Sequence, residues 1–390
     1  MKKRVLLISP IPSHPQTAGN RARIYNLALS IKKFGHELYF AHVEREFGDT
    51  AAMKECWGND FHFTISYARP NKLSSRIRRK VNTFFDKESK YIFFIDDWYD
   101  DSIGNYFKKL YRKYRFDIVI VEYAFFSKAL TCFPKHVLKI VDTHDVLTDR
   151  HKIYLRNDKK YNWFSTTKSQ EKKGLKRADI IISIQDKEKD FFSRLTDKYT
   201  VTIGHTVKIQ PSKTNKIKGR NILFIGSANQ SNIDAFHLFY DKIFPKIRQI
   251  IREAALVVAG PICRILNDDM EGIVNKGPGV DLDTIYECAD IVINPIRFGT
   301  GLKIKNIEAL GYAKPLVTTS IGAEGIESGA DKAFLVADDP ENFSNAVIKI
   351  LQDSLVYRNL CINGNRFAVE WNQNQMSTLD RILNMTTTSL

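Results

Sequence analysis

Residues 5–43 read VLLISPIPSHPQTAGNRARIYNLALSIKKFGHELYFAHV, and their order decides the fold. Val5-Leu-Leu-Ile8 is a short apolar run that breaks into a Pro/Gly/Asn loop reaching Asn20, as a buried strand does at its end. Ile24, Leu27, Ala28 and Ile31 then recur at helical spacing through Arg21–Phe34, Gly35 stops the helix, and Glu37–Val43 begins the next strand. Strand, crossover helix and strand in this order belong to a parallel sheet covered by helices. Met1-Lys-Lys-Arg4 ahead of the apolar run resembles a signal peptide, but Ser9, Pro10 and Pro12 end the run too early for one.

The pattern continues on both sides of one break. Strands are expected at Phe61–Ser66, Ile118–Glu122, Leu138–Val141, Ile180–Ile184 and Thr200–Ile203, completing a doubly wound domain over residues 1–207. Lys208–Arg220, rich in Lys, Asn, Ser and Pro, has the composition of a linker. A second series follows at Asn221–Ile225, Leu256–Ala259, Ile291–Asn294, Leu316–Thr319 and Phe334–Val336, which makes a second domain over 221–368. At 390 residues the chain is long for one core, since single cores stop growing at roughly 250–300 residues. Two open α/β domains are expected to place a ligand cleft at the carboxyl ends of their strands.

Composition bounds the function. Hydrophobic residues at 43% and charged residues at 26% exclude a disordered or fibrous chain. The net charge of +15 favours anionic partners without naming them. Five scattered cysteines with no CxxC spacing argue against a secreted disulfide framework and suit a reducing cytoplasm. No apolar run approaches the roughly 20 residues of a spanning helix, so any membrane contact is expected to be peripheral.

Chemistry concentrates in PIRFGTGLKIKNIEALGYAKPLV, residues 295–317. After a strand ending at Asn294, a loop containing Gly299, Thr300 and Gly301 enters a helix expected to start near Leu302. Free backbone N–H groups and the positive helix end there suit a phosphate, and Arg297, Lys303 and Lys305 add cations. Glu308, one turn on, is placed to accept hydrogen bonds from a ribose diol. The first loop, Thr17–Arg21, has one glycine where a dinucleotide site wants GxGxxG, which counts against a dehydrogenase.

The chain resembles the family-4 glycosyltransferases of GT-B fold over nearly its whole length. The resemblance rests on Gly19, Gly35-His36-Glu37, Asp142-Thr-His-Asp145, Phe224-Ile-Gly-Ser227 with Asn232, and the 295–317 stretch. The last matches a branch reading Pro-x-Arg-x-Gly-x-Gly-x-Lys-x-Lys-x-x-Glu, with Thr300 where the commoner pattern has the first of two glutamates and Glu308 as the second. The resemblance implies retaining transfer of a sugar from a nucleoside-diphosphate donor to a glycan or lipid-linked acceptor. It implies that Glu308 grips the ribose and that Lys303, Lys305, Arg297 and the loop Gly299–Leu302 stabilise the departing diphosphate. Gly226 and Ser227 would let the ligand approach the backbone, Val280 would lie beside the base, and His144 would touch the transferred sugar. Gly19 and Arg21, with Arg23, would lie over the phosphates, and the helix over 369–390 would cross back onto the first domain.

Other readings stand beside these. His144 can instead be a satisfied structural histidine, and Asp145 is expected to cap the following helix. Asp96-Asp97 and Asp100-Asp101 read as a solvated loop, and no metal is expected because no DxD ends a strand in the donor region. Arg69–Lys90 mixes Lys72, Arg76, Arg78, Arg79, Lys80, Lys87 and Lys90 with Leu73, Ile77, Val81, Phe84 and Phe85. That is either a core-packed helix with a solvated basic face or a helix lying on an anionic membrane. The same fold also hosts nucleotide-sugar epimerases, which need no acceptor. A non-enzymatic polyanion binder would want a basic surface interleaved with aromatics, and no nucleic-acid motif is present.

Overall fold

The computed structural model describes residues 2–70, 73–210, 217–267 and 269–388. Lys72 and residues 211–216 of the expected linker lie outside these. The chain forms two compact units. The first comprises Met1–Gln16, Asn20–His205 and Gln375–Leu390, and the second Thr17–Gly19 and Thr206–Asn374.

The first unit holds strands β1 (Arg4–Ser9), β2 (Glu37–Val43), β3 (His62–Ile65), β4 (Ile118–Glu122), β5 (Leu138–Asp142), β6 (Ile180–Ser183) and β7 (Tyr199–Thr202). They form one parallel sheet in the order β3-β2-β1-β4-β5-β6-β7, with Val5 opposite both Leu38 and Ile118. Its helices are α1 (Gly19–Lys33), α2 (Thr50–Trp57), α3 (Leu73–Phe85), α4 (Gly104–Tyr114), α5 (Arg150–Leu155), α6 (Lys168–Leu175) and α7 (Asp186–Leu195). β1 and β4 are apolar runs without alternation because both sheet faces are covered, and Val5–Ile8 and Ile118–Val121 are fully buried. Ile24, Ala28 and Ile31, the helical-period positions of α1, are fully buried in the same core.

The second unit holds β8 (Asn221–Ile225), β9 (Ala255–Ala259), β10 (Ile273–Gly277), β11 (Ile291–Asn294), β12 (Leu316–Thr318) and β13 (Leu335–Val336). Its parallel sheet runs β10-β9-β8-β11-β12-β13. The helices are α8 (Gln230–Leu238), α9 (Phe244–Ile250), α10 (Leu282–Cys288), α11 (Ile304–Gly311), α12 (Pro340–Gln352) and α13 (Ser354–Asn384). A separate core gathers Phe224, Phe236, Phe239, Ile293 and Val347. In both sheets the strand order reverses once, between β1 and β4 and between β8 and β11. Such reversals splay the loops at the carboxyl ends and open a ligand site there.

Three expectations need correction. The helix expected from about Leu302 begins at Ile304, because Lys303 takes a non-helical φ of −84° and ψ of 85°. The acidic cluster is not a solvated loop. Asp96 pairs with both nitrogens of Arg177 at 2.6 and 2.7 Å, Asp97 accepts from Ser75 Oγ, Arg78 and the Phe94 amide, and Asp100 caps a short turn at Ser102. The final helix starts at Ser354 rather than near Phe367, contributing to the second unit up to Asn374 and to the first from Gln375.

Candidate functional site

In the second unit, the site is built where the sheet order reverses. β8 ends at Ile225 and passes through Gly226 and Ser227 to Asn229, which caps α8 by accepting from the Asn232 amide at 2.9 Å. Asn232 then becomes a hub. Its Nδ2 donates to Ser227 O and Oγ at 3.0 and 3.1 Å, and its Oδ1 accepts from Lys305 Nζ at 2.8 Å. Lys305 Nζ also donates to Ile225 O at 3.0 Å and lies 5.1 Å from the centre of the Phe224 ring. The amine of α11 is thus tied across the reversal to the end of β8 through neutral oxygens, and burial pulls its pKa down to about 7.

One turn later, Glu308 Oε2 accepts from Tyr286 OH at 3.4 Å, and Tyr286 stacks on Tyr312 at 4.4 Å. Burial pushes Glu308 up to about 7. Lys305 and Glu308 are therefore both poised near neutrality, each through loss of water, a combination that concentrates at functional sites.

The loop between β11 and α11 owes its shape to Gly299 and Gly301, with φ of 139° and 72°. Beneath it, Asn294 Nδ2 donates to Asn306 Oδ1 at 2.9 Å, and Asn306 Nδ2 donates to Gly322 O at 2.8 Å. This buried pair fixes the root of the loop to the turn after β12. Arg297 is exposed on the loop and donates to both oxygens of Asp234 on α8, at 3.0 and 2.8 Å. Lys303 turns back on Gly301 O at 2.7 Å and stands 3.6 Å from Glu324. Thr300 and Val280 are half-buried, and Leu302 is buried. Val280 follows edge strand β10, whose end is linked toward Gly226 through Gly260: the Gly260 amide donates to Gly277 O at 2.9 Å, and the Ile262 amide to Gly226 O at 3.0 Å. The structure thus joins Ser227 to Lys305 through Asn232, beside Gly226, and sets Arg297 and Lys303 on acidic partners of the same unit.

The first unit has its own polar centre at its reversal. His144 sits after β5 in the left-handed region, φ 62°, stacked on Tyr123 with ring centres 4.1 Å apart. Its Nε2 lies 2.5 Å from Glu122 Oε2 at the end of β4, leaving Nδ1 as the ring's remaining polar atom. Arg23 on α1 holds Asp142 through both carboxylate oxygens at 2.8 and 2.7 Å. Arg23 is buried in that pair, so its expected role as an anion contact is withdrawn. Burial, reinforced by Asp142, raises Glu122 well above the carboxylate range, and burial lowers His144 to about 4. Both are driven toward their neutral forms, the carboxyl by burial beside Asp142 and the imidazole by burial.

Glu122, Asp142 and His144 approach closely enough to hold a metal ion. Arg23 already occupies both oxygens of Asp142, a donor set that fits a guanidinium better than a metal. Asp145 caps no helix. It pairs with Arg150 at 2.9 Å, and Asp149 takes the residue position before α5. Gly19 opens α1 and is grouped with the second unit, while Arg21 donates to Phe47 O at 3.2 Å and lies 3.9 Å from Glu46.

Sequence reasoning missed Glu122, Asn306 and the hub role of Asn232. Glu122 left a signal, an acid closing an otherwise apolar buried strand. Asn306 left one too, a polar residue on the buried side of an amphipathic helix.

Two parallel-sheet α/β units with these strand orders make the GT-B fold. Residues 219–353, inside the second unit, match the family model described as glycosyl transferases group 1. Solved structures share the fold along almost the whole chain. The crystal structure of a point mutant of S. aureus TarM in complex with fondaparinux, alpha-GlcNAc-glycerol and UDP aligns with TM-score 0.69 at 11% identity, covering 98% of this chain and 100% of that one. The pneumococcal O-GlcNAc transferase GtfA, in complex with UDP and GlcNAc, aligns with TM-score 0.68 at 9% identity over 99% of this chain and 100% of that one. Anabaena Alr3699/HepE in complex with UDP-glucose aligns with TM-score 0.62 at 11% identity over 97% and 100%. An uncharacterized 44.6 kDa protein in the cps region of Klebsiella pneumoniae is 23% identical over 180 residues, 43% of this chain and 46% of that protein. The match spans about half the length of that curated relative.

Proposed function

We propose that the chain is a family-4-like hexosyltransferase that moves a sugar, with retention, from a nucleoside-diphosphate sugar to a glycan or lipid-linked acceptor in cell-surface polysaccharide synthesis. The observation that carries the reading is the tie from Lys305 to Ile225 O and Asn232, with Glu308 one turn on, inside the group 1 domain. TarM and GtfA are solved with UDP and HepE with UDP-glucose, which supports a nucleotide-sugar donor; the Klebsiella relative belongs to a cps region, which supports a polysaccharide setting.

In this reading Glu308 accepts from the ribose hydroxyls. The 299–302 amides, Lys305, Lys303 and Arg297 stabilise charge growing on the departing diphosphate, with Arg297 exchanging Asp234 for phosphate oxygens. Gly226 and Ser227 allow close backbone approach, and Val280 borders the base. Gly19 and Arg21 lie over the phosphates. His144 touches the transferred sugar, its ring held by Glu122. The acceptor hydroxyl attacks on the face the diphosphate leaves, and the leaving phosphate takes its proton, so no protein nucleophile and no metal enter the step.

Thermal-shift titration with UDP, GDP, ADP and CMP tests the donor site. One nucleoside diphosphate is expected to stabilise the protein saturably, and Lys305→Ala and Glu308→Ala to abolish that shift. Transfer from the matching nucleotide sugar should fall by about 10²–10³ in Lys305→Ala, by analogy with lost oxyanion donors. Absence of binding by all four at millimolar concentration overturns the proposal, and sugar conversion without acceptor replaces it with an epimerase.

A further inference from the structure

Helix α3 carries Ile77, Val81 and Phe84 on the side that core packing cannot use. Ile77, Val81 and Phe84 follow at i, i+4 and i+7, which places them in one stripe, and they are 53%, 51% and 87% exposed. Among the described side chains of the helix only Ser75 is buried, bonded to Asp97. The helix is instead anchored by cations. Arg78 pairs with Asp97 at 2.8 Å and lies 3.2 Å from the centre of the Phe94 ring, while Arg79 lies 4.4 Å from that of Phe93. Core packing of this stripe therefore fails, because the guanidinium groups of Arg78 and Arg79 face the protein while Ile77, Val81 and Phe84 face out; Leu73 and Phe85 lie outside the described side chains. Arg76 and Lys80 are exposed on the same helix, and Lys87 is exposed just past its end.

We infer that α3 is a membrane-docking helix, which lies in the surface of a bilayer containing anionic lipid, with Phe84, Val81 and Ile77 in the acyl boundary and Arg76, Lys80 and Lys87 on the headgroups. An apolar stripe rimmed by cations is what an interfacial helix needs, since apolar burial and attraction to anionic lipid add together. A second copy of the chain is a poor occupant, because it brings the same cations and a net charge of +15 to the contact. No helix of the described residues is long and apolar enough to cross a membrane. The inference goes beyond the transfer reading and does not depend on it, because vesicle binding is read without donor or acceptor.

The test is co-sedimentation of the full chain with phosphatidylcholine vesicles, with and without about a third phosphatidylglycerol, a lipid mixture rich enough in anionic headgroups to attract basic helices. Binding is expected only to the anionic vesicles and should weaken with salt. Lys80→Glu with Lys87→Glu should weaken it at least 25-fold, at about fivefold for each cation lost. Ile77→Ser/Val81→Ser/Phe84→Ser should abolish it while circular dichroism stays native, and Phe84→Trp should give an indole emission that moves to the blue on anionic vesicles. Failure of the wild-type chain to bind anionic vesicles at low salt overturns the inference. So does wild-type binding by the serine variant, or an unshifted indole emission in a Phe84→Trp protein that does sediment. A dimer abolished by the serine substitutions, with no vesicle binding, assigns the stripe to a second copy instead.

Discussion

At the scale of single residues, the decisive feature is that Lys305 and Glu308 face neutrality from opposite sides. Burial takes Lys305 down to about 7, so above that pH the unliganded amine has lost its proton. An anionic diphosphate favours the ammonium, so over pH 7 to 9 the complex holds a proton that the free protein lacks. Affinity must then fall as pH rises, by up to tenfold per unit. Calorimetric titration of the wild-type chain with its nucleoside diphosphate from pH 6 to 9 should show this decline starting near 7. Lys305→Met should bind weakly and without this decline, since the group still titrating near 7, Glu308, gains its charge as pH rises and so accepts the ribose hydroxyls better. An equally steep decline in Lys305→Met would place the titrating group elsewhere. Lys305 was legible as a cation near a phosphate loop, but its poise was not. That depends on Asn232 and Ile225 O, neutral partners that the sequence separates by 73 and 80 residues.

At the scale of elements, the strands were readable because parallel strands buried on both faces are written as unbroken Val/Ile runs. Glu37–Val43, Ile118–Glu122, Asn221–Ile225 and Ile291–Asn294 were delimited to the residue. β10 was not anticipated. It is an edge strand whose middle residues Val274, Asn275 and Lys276 are exposed, so it leaves no apolar run. The link from β10 to the site passes through Gly260, whose φ of 91° and ψ of −178° only glycine adopts readily. A Cβ there would stand 2.6 Å from Gly226 O. Gly260→Ala is expected to cost about 1–3 kcal/mol through conformation alone, to lower the melting midpoint by roughly 3–10 °C, and to displace the Gly226 turn. Nucleoside-diphosphate affinity should drop at least tenfold. Gly279→Ala, where a Cβ meets nothing within 4 Å, serves as the control and should leave the midpoint unchanged. Equal behaviour of the two variants would show that the Gly260–Gly226 contact does not shape the site.

At the scale of the whole molecule, each unit buries its own core, one on β1–β7 with Phe107, Phe125 and Phe126, the other on β8–β13 with Phe224, Phe236 and Phe239. Two strand series separated by a polar break made this division legible. The grouping of Thr17–Gly19 with the second unit was not, since nothing in three polar or small residues reports a distant partner. The proposed nucleotide contacts lie mostly in the second unit, which makes a prediction about unfolding. A nucleoside diphosphate at about a hundred times its Kd adds roughly 2.7 kcal/mol to the unit that binds it, or about 5–10 °C in midpoint for a domain of this size. Scanning calorimetry is expected to resolve two transitions, of which the ligand raises one. Phe239→Ala, which empties a fully buried position of the second core, marks that unit by lowering its transition through a loss of about 3–5 kcal/mol. The transition lowered by Phe239→Ala should be the one the ligand raises. A ligand that raised only the other transition would move the donor site to the first unit, making the His144 and Glu122 cluster its centre and leaving Lys305 and Glu308 as structural residues.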